Sequence, residues 1–231
     1  HIQLNKDTLW TGGPHCYDNP EALSHLAEVR WLIADGQFAK ALAVADKHMI
    51  GIPKSQQSYQ TLGDLWIELA DHEEVADYRR ELNMSTAVAR VGYRIGDARF
   101  TREVFVSHPD QVMVVRLTCD KPGRITGMVC LDSPNPSQTV VIDEHTLKMS
   151  GSNGSGLKFE ARAHVVADGG STISDTDAIE VQEANAVTLI YTAATSYKNY
   201  RDISGDPAAI CQKHIEAAKN RNYRSLRDAH V

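Results

Sequence analysis

Asn5, Asp7, Thr8 and Trp10, within the opening stretch HIQLNKDTLWTGGP, bring an amide, a carboxylate, a hydroxyl and an indole together at short spacing. Such a set can hydrogen-bond to a polar ligand while the indole offers an apolar plane, or it can hold one domain against another. The turn Gly12-Gly13-Pro14 follows, and the stretch reads as an ordered polar loop rather than a strand. Three readings of the four residues stand side by side: a domain interface, a pocket rim, and a loop stabilised by its own Asx and glycine turns.

The remaining candidates carry less chemistry. Asp64 and Glu68 sit four apart in TLGDLWIEL. On a strand they share a solvent-edge face, whereas a paired acid and base needs carboxylates from separate elements about 5 to 10 Å apart. His108 precedes Pro109-Asp110 and reads as a turn residue. No GxSxG elbow, HExxH, P-loop or dinucleotide glycine pattern occurs. The glycine clusters in GDARF and GSNGSG lack the strand-to-helix context that phosphate binding needs. His15, His25, His48, His72, His145, His164 and His230 are dispersed without metal-ligand spacing, so neither a metal nor a cofactor is expected. Cys16, Cys119, Cys130 and Cys211 form no CxxC pair and read as free buried thiols, although Cys119 and Cys130 fall in neighbouring strand-like segments. Trp31 and Trp66 occupy periodic helix and strand segments and are expected in the core, which leaves Trp10 as the aromatic candidate. Asn83-Met-Ser and Asn153-Gly-Ser match the common glycosylation pattern.

The totals bound these readings. A chain of 231 residues can bury a core. A formal net charge of −6 with scattered basic residues disfavours a nucleic-acid partner. The densest basic run, Lys213 to Arg227, reads as one face of a solvated helix. No apolar run is long enough to span a bilayer, and no signal-peptide pattern is visible.

Three zones must position the candidates. Residues 20–50 predict a helical hairpin, with Asn19 as cap, Pro20 in the first turn and Gly36 ending the first helix. Its stripes at three- to four-residue spacing are Leu23, Leu26, Val29 or Arg30, and Ile33, then Phe38, Ala41 or Leu42, and Ala45. Residues 59–197 hold segments of about ten residues alternating in polarity and separated by turn signals, which predicts an antiparallel β-sandwich. SGSNGSG and DGGSTISDTD read as loops. Asp206 then caps a C-terminal helix. The expected domains are a β-sandwich over 1–205, including the insertion 20–50, and a helix over 206–231. The unfinished helix and the abrupt start suggest a piece of a larger protein, cut on both sides.

The particular words say more. IQLNKDTLWTGGP, YDNPEAL, YQTLGDLWIEL, DYRRELNMSTAVARVGY, FTREVFVSHPDQVMVVRLT and SGDPAA resemble, in that order, the N-terminal domain of glycoside hydrolase family 95, whose members are inverting α-L-fucosidases with some α-L-galactosidases. The resemblance covers essentially the whole chain. It implies a mainly β, supersandwich-like domain that precedes a helical linker and an (α/α)₆ catalytic barrel. The general acid and the water-activating groups belong to that barrel, so no catalytic residue can be assigned here. The implied partners are the barrel of the same polypeptide and, for the parent, fucosylated oligosaccharides; the parent would be bacterial, secreted or periplasmic. Lys6 stands where the family usually has Glu. Asn5, Asp7, Thr8 and Trp10 would then hold the domain interface or the pocket rim. The rival reading is an independent carbohydrate-binding module with Trp10, Tyr197 and Tyr200 as its sugar platform.

Overall fold

The computed structural model describes residues 1–154 and 156–231. Ser155, the third residue of the glycosylation pattern at 153–155 and part of SGSNGSG, lies outside the described residues. The chain divides into two compact units, one formed by His1–Gly12 with Tyr59–Val231 and the other by Gly13–Ser58.

The larger unit is a sandwich of two antiparallel sheets. The smaller sheet runs β1 (Ile2–Trp10), β2 (Tyr59–Leu69), β7 (Ile125–Asp132), β12 (Ala178–Ala184) and β11 (Ser171–Ser174). The larger runs β3 (Ala76–Asn83), β4 (Val88–Ile95), β5 (Ala98–Ser107), β6 (Val112–Cys119), β13 (Ala186–Thr195), β10 (Lys158–Asp168), β9 (Thr146–Ser152) and β8 (Ser137–Asp143). Inward side chains of both sheets make one core, with Leu9, Leu62, Leu65, Val129 and Ile179 of the small sheet meeting Phe100, Leu117, Leu147, Phe159 and Leu189 of the large one. Helices α3 (Pro207–Ala218) and α4 (Tyr223–His230) cover the outer face of the large sheet. There Ile215, Ala218 and Leu226 pack with Phe105, Val114 and Ile190. Covered on both faces, β13, AVTLIYTAAT, is buried at every position but Ala193 instead of alternating.

The opening stretch is a strand, not the loop expected from its polarity. It pairs antiparallel with β2, but its register shifts between Leu4 and Asn5 and again between Asn5 and Trp10. These irregularities bury both Leu4 and Leu9, five positions apart, so strict alternation never develops in the sequence. On β2 the extra residue beside the first shift buries Leu62 as well as Leu65, and Gly63 takes φ +144. Four residues of the loop expected in DGGSTISDTD form strand β11, a short polar edge strand paired to β12.

The C-terminal segment is two helices. Asp206 caps α3 by accepting from the Ala209 amide at 3.1 Å, with Pro207 in the first turn. Asn222 caps α4 by accepting from the Ser225 amide at 2.8 Å. The basic run from Lys213 to Arg227 is therefore not one solvated face. Arg221 donates to the Asp110 carboxylate in the turn after β5 and, at 2.7 Å, to the Ser225 carbonyl. Tyr223 donates to Glu103 at 2.6 Å. His108 lies in the turn that holds Asp110.

The smaller unit is the expected helical hairpin of α1 (Ala22–Ala34) and α2 (Phe38–His48). Gly36, at φ +75, follows α1, and the Gln37 amide returns to the Leu32 carbonyl at 2.8 Å, closing the helix end. The Asn19 side chain accepts from the Glu21 amide, so Asn19 forms an Asx turn two residues ahead of the cap position, Glu21. Val29, Leu32 and Ala41 form the buried seam. Leu23, Ile33, Phe38 and Leu42, placed on the seam by periodicity, are exposed, and Trp31 is 61% exposed rather than core. The helices are rotated so that the narrow Val29–Leu32 stripe, not the wider apolar set, faces inward. Trp66 is likewise only partly buried and lies against the His1 ring.

Candidate rim at the end of the first strand

The irregular strand β1 decides where the four opening residues point. Leu4 and Leu9 take the inward positions, leaving Asn5, Asp7 and Trp10 exposed and Thr8 partly buried. Thr8 Oγ1 lies 2.6 Å from Oγ1 of Thr195, the last residue of β13. This hydrogen bond joins the small sheet to the large one. Trp10 is held by its own neighbourhood: its Nε1 donates to the Asp7 carbonyl at 2.8 Å, its ring meets Tyr59 edge-on at 5.2 Å, and Asn153 Nδ2 donates to its carbonyl. The Asp7 carboxylate accepts from Lys6 Nζ at 2.7 Å, and that bond holds it below the usual carboxylate range. Asn5 faces solvent opposite Thr61. Of the four, Thr8 is a tie between sheets. Trp10 with Tyr59 forms an amphipathic ledge beside Asp7, which makes this end of the sandwich a surface able to meet a polar, partly apolar partner.

Sequence reasoning missed a second surface. On the outward face of β3, β4 and β5, Arg79, Arg90, Arg94 and Arg99 line a groove of about 280 Å³ with Asp77 and Glu81. Gly92 leaves its floor bare. Arg79 pairs with Glu81 at 2.6 Å and Arg94 with Asp77 at 3.0 Å, both exposed. The signal was present as Arg90, Gly92 and Arg94 at alternate positions of ARVGYR, but without knowledge of which face is outward the arginines read as scattered basic residues. Tyr197 and Tyr200 are exposed, and Tyr200 carries Arg201 over its ring at 4.9 Å. Among the described residues no ring contact joins either tyrosine to Trp10.

Buried polar groups elsewhere serve packing. Glu160 and Arg162, neighbours on the α3-facing side of β10, form an ion pair at 2.7 Å, and Arg162 also donates to Gln212 of α3. Cys211 lies under them with its Sγ donating to the Glu160 carbonyl, and burial pushes its thiol up to about 12, which makes it inert as a nucleophile. All four cysteines are free; only Cys211 is buried, while Cys16 is exposed. Cys119 and Cys130 stand in different sheets. Asp64 lies opposite Asp132 and Glu68 opposite Met128 on β7. Among the described residues no helix is long and apolar enough to cross a membrane.

Residues 1–200 match the family model described as glycosyl hydrolase family 65, N-terminal domain. Alpha-L-fucosidase 2 of Arabidopsis thaliana is 30% identical, with 100% of this chain and 31% of that protein aligned. Probable alpha-fucosidase A of Aspergillus niger is 27% identical over 100% of this chain and 31% of its own length. Its namesake from Aspergillus oryzae is 23% identical over 100% and 34%. The chain thus spans about a third of the length of these relatives. Among solved structures, a putative kojibiose phosphorylase from the human microbiome shares the fold, with a TM-score of 0.54 at 11% identity over 76% of this chain and 28% of that one.

Proposed function

The chain belongs to the family of glycosyl hydrolase family 65 N-terminal domains, and from that premise we propose that it is the accessory domain of an inverting exo-α-L-fucosidase of family 95. One observation carries this reading: curated proteins named as α-fucosidases align with the chain along its full length while extending well beyond it. The domains are a sandwich over 1–205 with its insertion at 20–50, and a C-terminal helical segment over 206–231 directed towards a linker and an (α/α)₆ barrel.

In the parent, an acid of the barrel protonates the leaving glycosidic oxygen, while a second group activates a water that attacks the opposite face of the fucosyl ring. The sandwich supplies none of these groups. Its part is to present Asp7, Trp10 and Tyr59 as an interface to the barrel or as the rim of its pocket. No cofactor enters this chemistry. The exposed apolar side chains Leu23, Trp31, Phe38 and Leu42 support a partner within the same polypeptide, since surface of that kind is ordinarily covered. The alternative, an independent carbohydrate-binding module, draws support from the exposed Trp10–Tyr59 pair, which has the amphipathic character of a sugar platform.

Two experiments separate these statements. Proton NMR of the first product formed by a polypeptide carrying both this domain and the barrel should show β-L-fucose from an α-linked substrate. Initial α-L-fucose would exclude inversion. Titration of the 231-residue chain with 2-fucosylated oligosaccharide should show no saturable binding; millimolar or tighter binding, abolished by Trp10→Ala, would favour the module.

A further inference from the structure

The hairpin unit gathers residues that the sequence disperses. Glu21 stands at the cap of α1, His25 one turn on, and His48 is the last residue of α2. Antiparallel helices bring the start of one beside the end of the other, and the backbone fixes that meeting. Asn19 Nδ2 donates to the Ile50 carbonyl at 3.1 Å, and the Ile52 amide to the Tyr17 carbonyl at 3.1 Å. At Gly51 a Cβ would lie 2.9 Å from the Tyr17 carbonyl oxygen, so the two strands of chain leave little room for anything larger.

In the result, the His25 and His48 rings stack with centroids 3.9 Å apart and 14° between planes. His48 Nδ1 lies 2.6 Å from Glu21 Oε2, and His25 Nδ1 lies 3.0 Å from Glu28 Oε2. One donor atom from each of Glu21, His25 and His48 fits within 4.8 Å. Three donors around a tetrahedral zinc ion at about 2.0–2.1 Å stand roughly 3.3 Å apart. All three groups are at least partly accessible, which leaves their side chains room to rotate.

We propose that Glu21, His25 and His48 form a binding site for a divalent transition metal of the zinc type, which clamps the open end of the hairpin. Two imidazoles and one carboxylate are a recurrent zinc donor set and leave a fourth position for water. The metal takes the place of the proton between Glu21 and His48, and the stacked rings splay so that both lone pairs converge on it. Glu28 then orients His25 through the nitrogen that does not ligate. Magnesium and calcium, which favour oxygen ligands, are the wrong class for this set. The unit also has reason to use such a clamp: its buried seam is only Val29, Leu32 and Ala41, and small units with little core are commonly stapled by a metal.

Cobalt(II) titration of the full chain tests this, with visible d–d absorption reporting nitrogen and oxygen ligation and zinc competition reporting affinity. One saturable site is expected, with a tetrahedral-type spectrum and displacement by zinc. His25→Gln, His48→Gln and Glu21→Gln should each weaken it at least about tenfold, and Glu28→Gln about tenfold. Affinity should fall on acidification, because metal ligands must be deprotonated. Far-UV circular dichroism confirms folding of each variant, and Glu21→Gln, exposed at the helix cap, serves should a histidine variant unfold. Absence of saturable binding, or affinity equal to that of the His25→Gln/His48→Gln double variant, would overturn the site.

Discussion

His72, His164 and His214 are each held below the ordinary imidazole range, first of all by burial. Their Nδ1 atoms lie 2.8 Å from Tyr93 Oη, 2.9 Å from Thr146 Oγ1 and 3.1 Å from Thr192 Oγ1 respectively. A ring that resists protonation in the fold but protonates freely once unfolded makes the unfolded state bind more protons as acid is added. Its stabilisation is therefore complete above about pH 6.5 and is lost as pH falls towards the lowered folded values. The melting temperature should fall between pH 7.5 and 5, and His164→Gln should flatten that slope; a melting temperature that is constant or rises on acidification would contradict the assignment. Thr8→Val removes the hydrogen bond to Thr195, and chemical denaturation should register a loss of about 1–2 kcal/mol. Residue types alone flagged Asp7, Thr8 and Trp10, but not their division of labour. That Thr8 ties two sheets depends on Thr195, which lies far away in the chain, and no local pattern encodes a partner at that separation.

The elements were most legible where one face alternates, as in β4, β5 and β10, and least where a bulge or a second covered face breaks the alternation. The strand β1 read as a loop because its two register shifts put Leu4 and Leu9 on the same side at odd spacing. Gly63 anchors the matching irregularity on β2. A Cβ there would stand 1.9 Å from the Asp132 carbonyl oxygen, and the backbone sits at φ +144. Gly63→Ala should destabilise the sandwich by about 2–4 kcal/mol, measured by urea denaturation; a loss under about 0.5 kcal/mol would show that the bulge can relax. Helix α3 docks on β10 through the buried Glu160–Arg162 pair, with side-chain exposures of 6% and 9%. Removing one partner strands a buried charge, so Arg162→Ala should lose about 3–5 kcal/mol, whereas a well-packed apolar replacement of both should be nearly neutral. The hairpin was legible as an element from its glycine and its periodicity. Its inward face was not, because apolar residues on α1 and α2 outnumber the positions the narrow seam can bury.

For the molecule as a whole, an antiparallel sandwich flanked by helices follows from segment length and turn spacing. Its membership in a family of hydrolase N-terminal domains rests on particular words such as IQLNKDTLW and YQTLGDLWIEL, which carry information that hydrophobic periodicity does not. The same lesson applies to function: a sandwich hosts many activities, so the assignment must come from sites and relatives rather than architecture. Here the site chemistry is that of a surface. Asp7, Trp10 and Tyr59 lie exposed at one end, the buried ionisable groups are committed to packing, and Cys211 is too strongly shifted to act. The central claim is that this chain supports a fucosidase without performing its chemistry. It is tested most directly by measuring fucose release from a 2-fucosylated oligosaccharide by the 231-residue chain and, in parallel, by a longer polypeptide that includes the barrel. Turnover by the longer polypeptide alone is the expected result. Turnover by the 231-residue chain on its own would contradict it and return the carboxylates and histidines of the sandwich to consideration as catalytic groups.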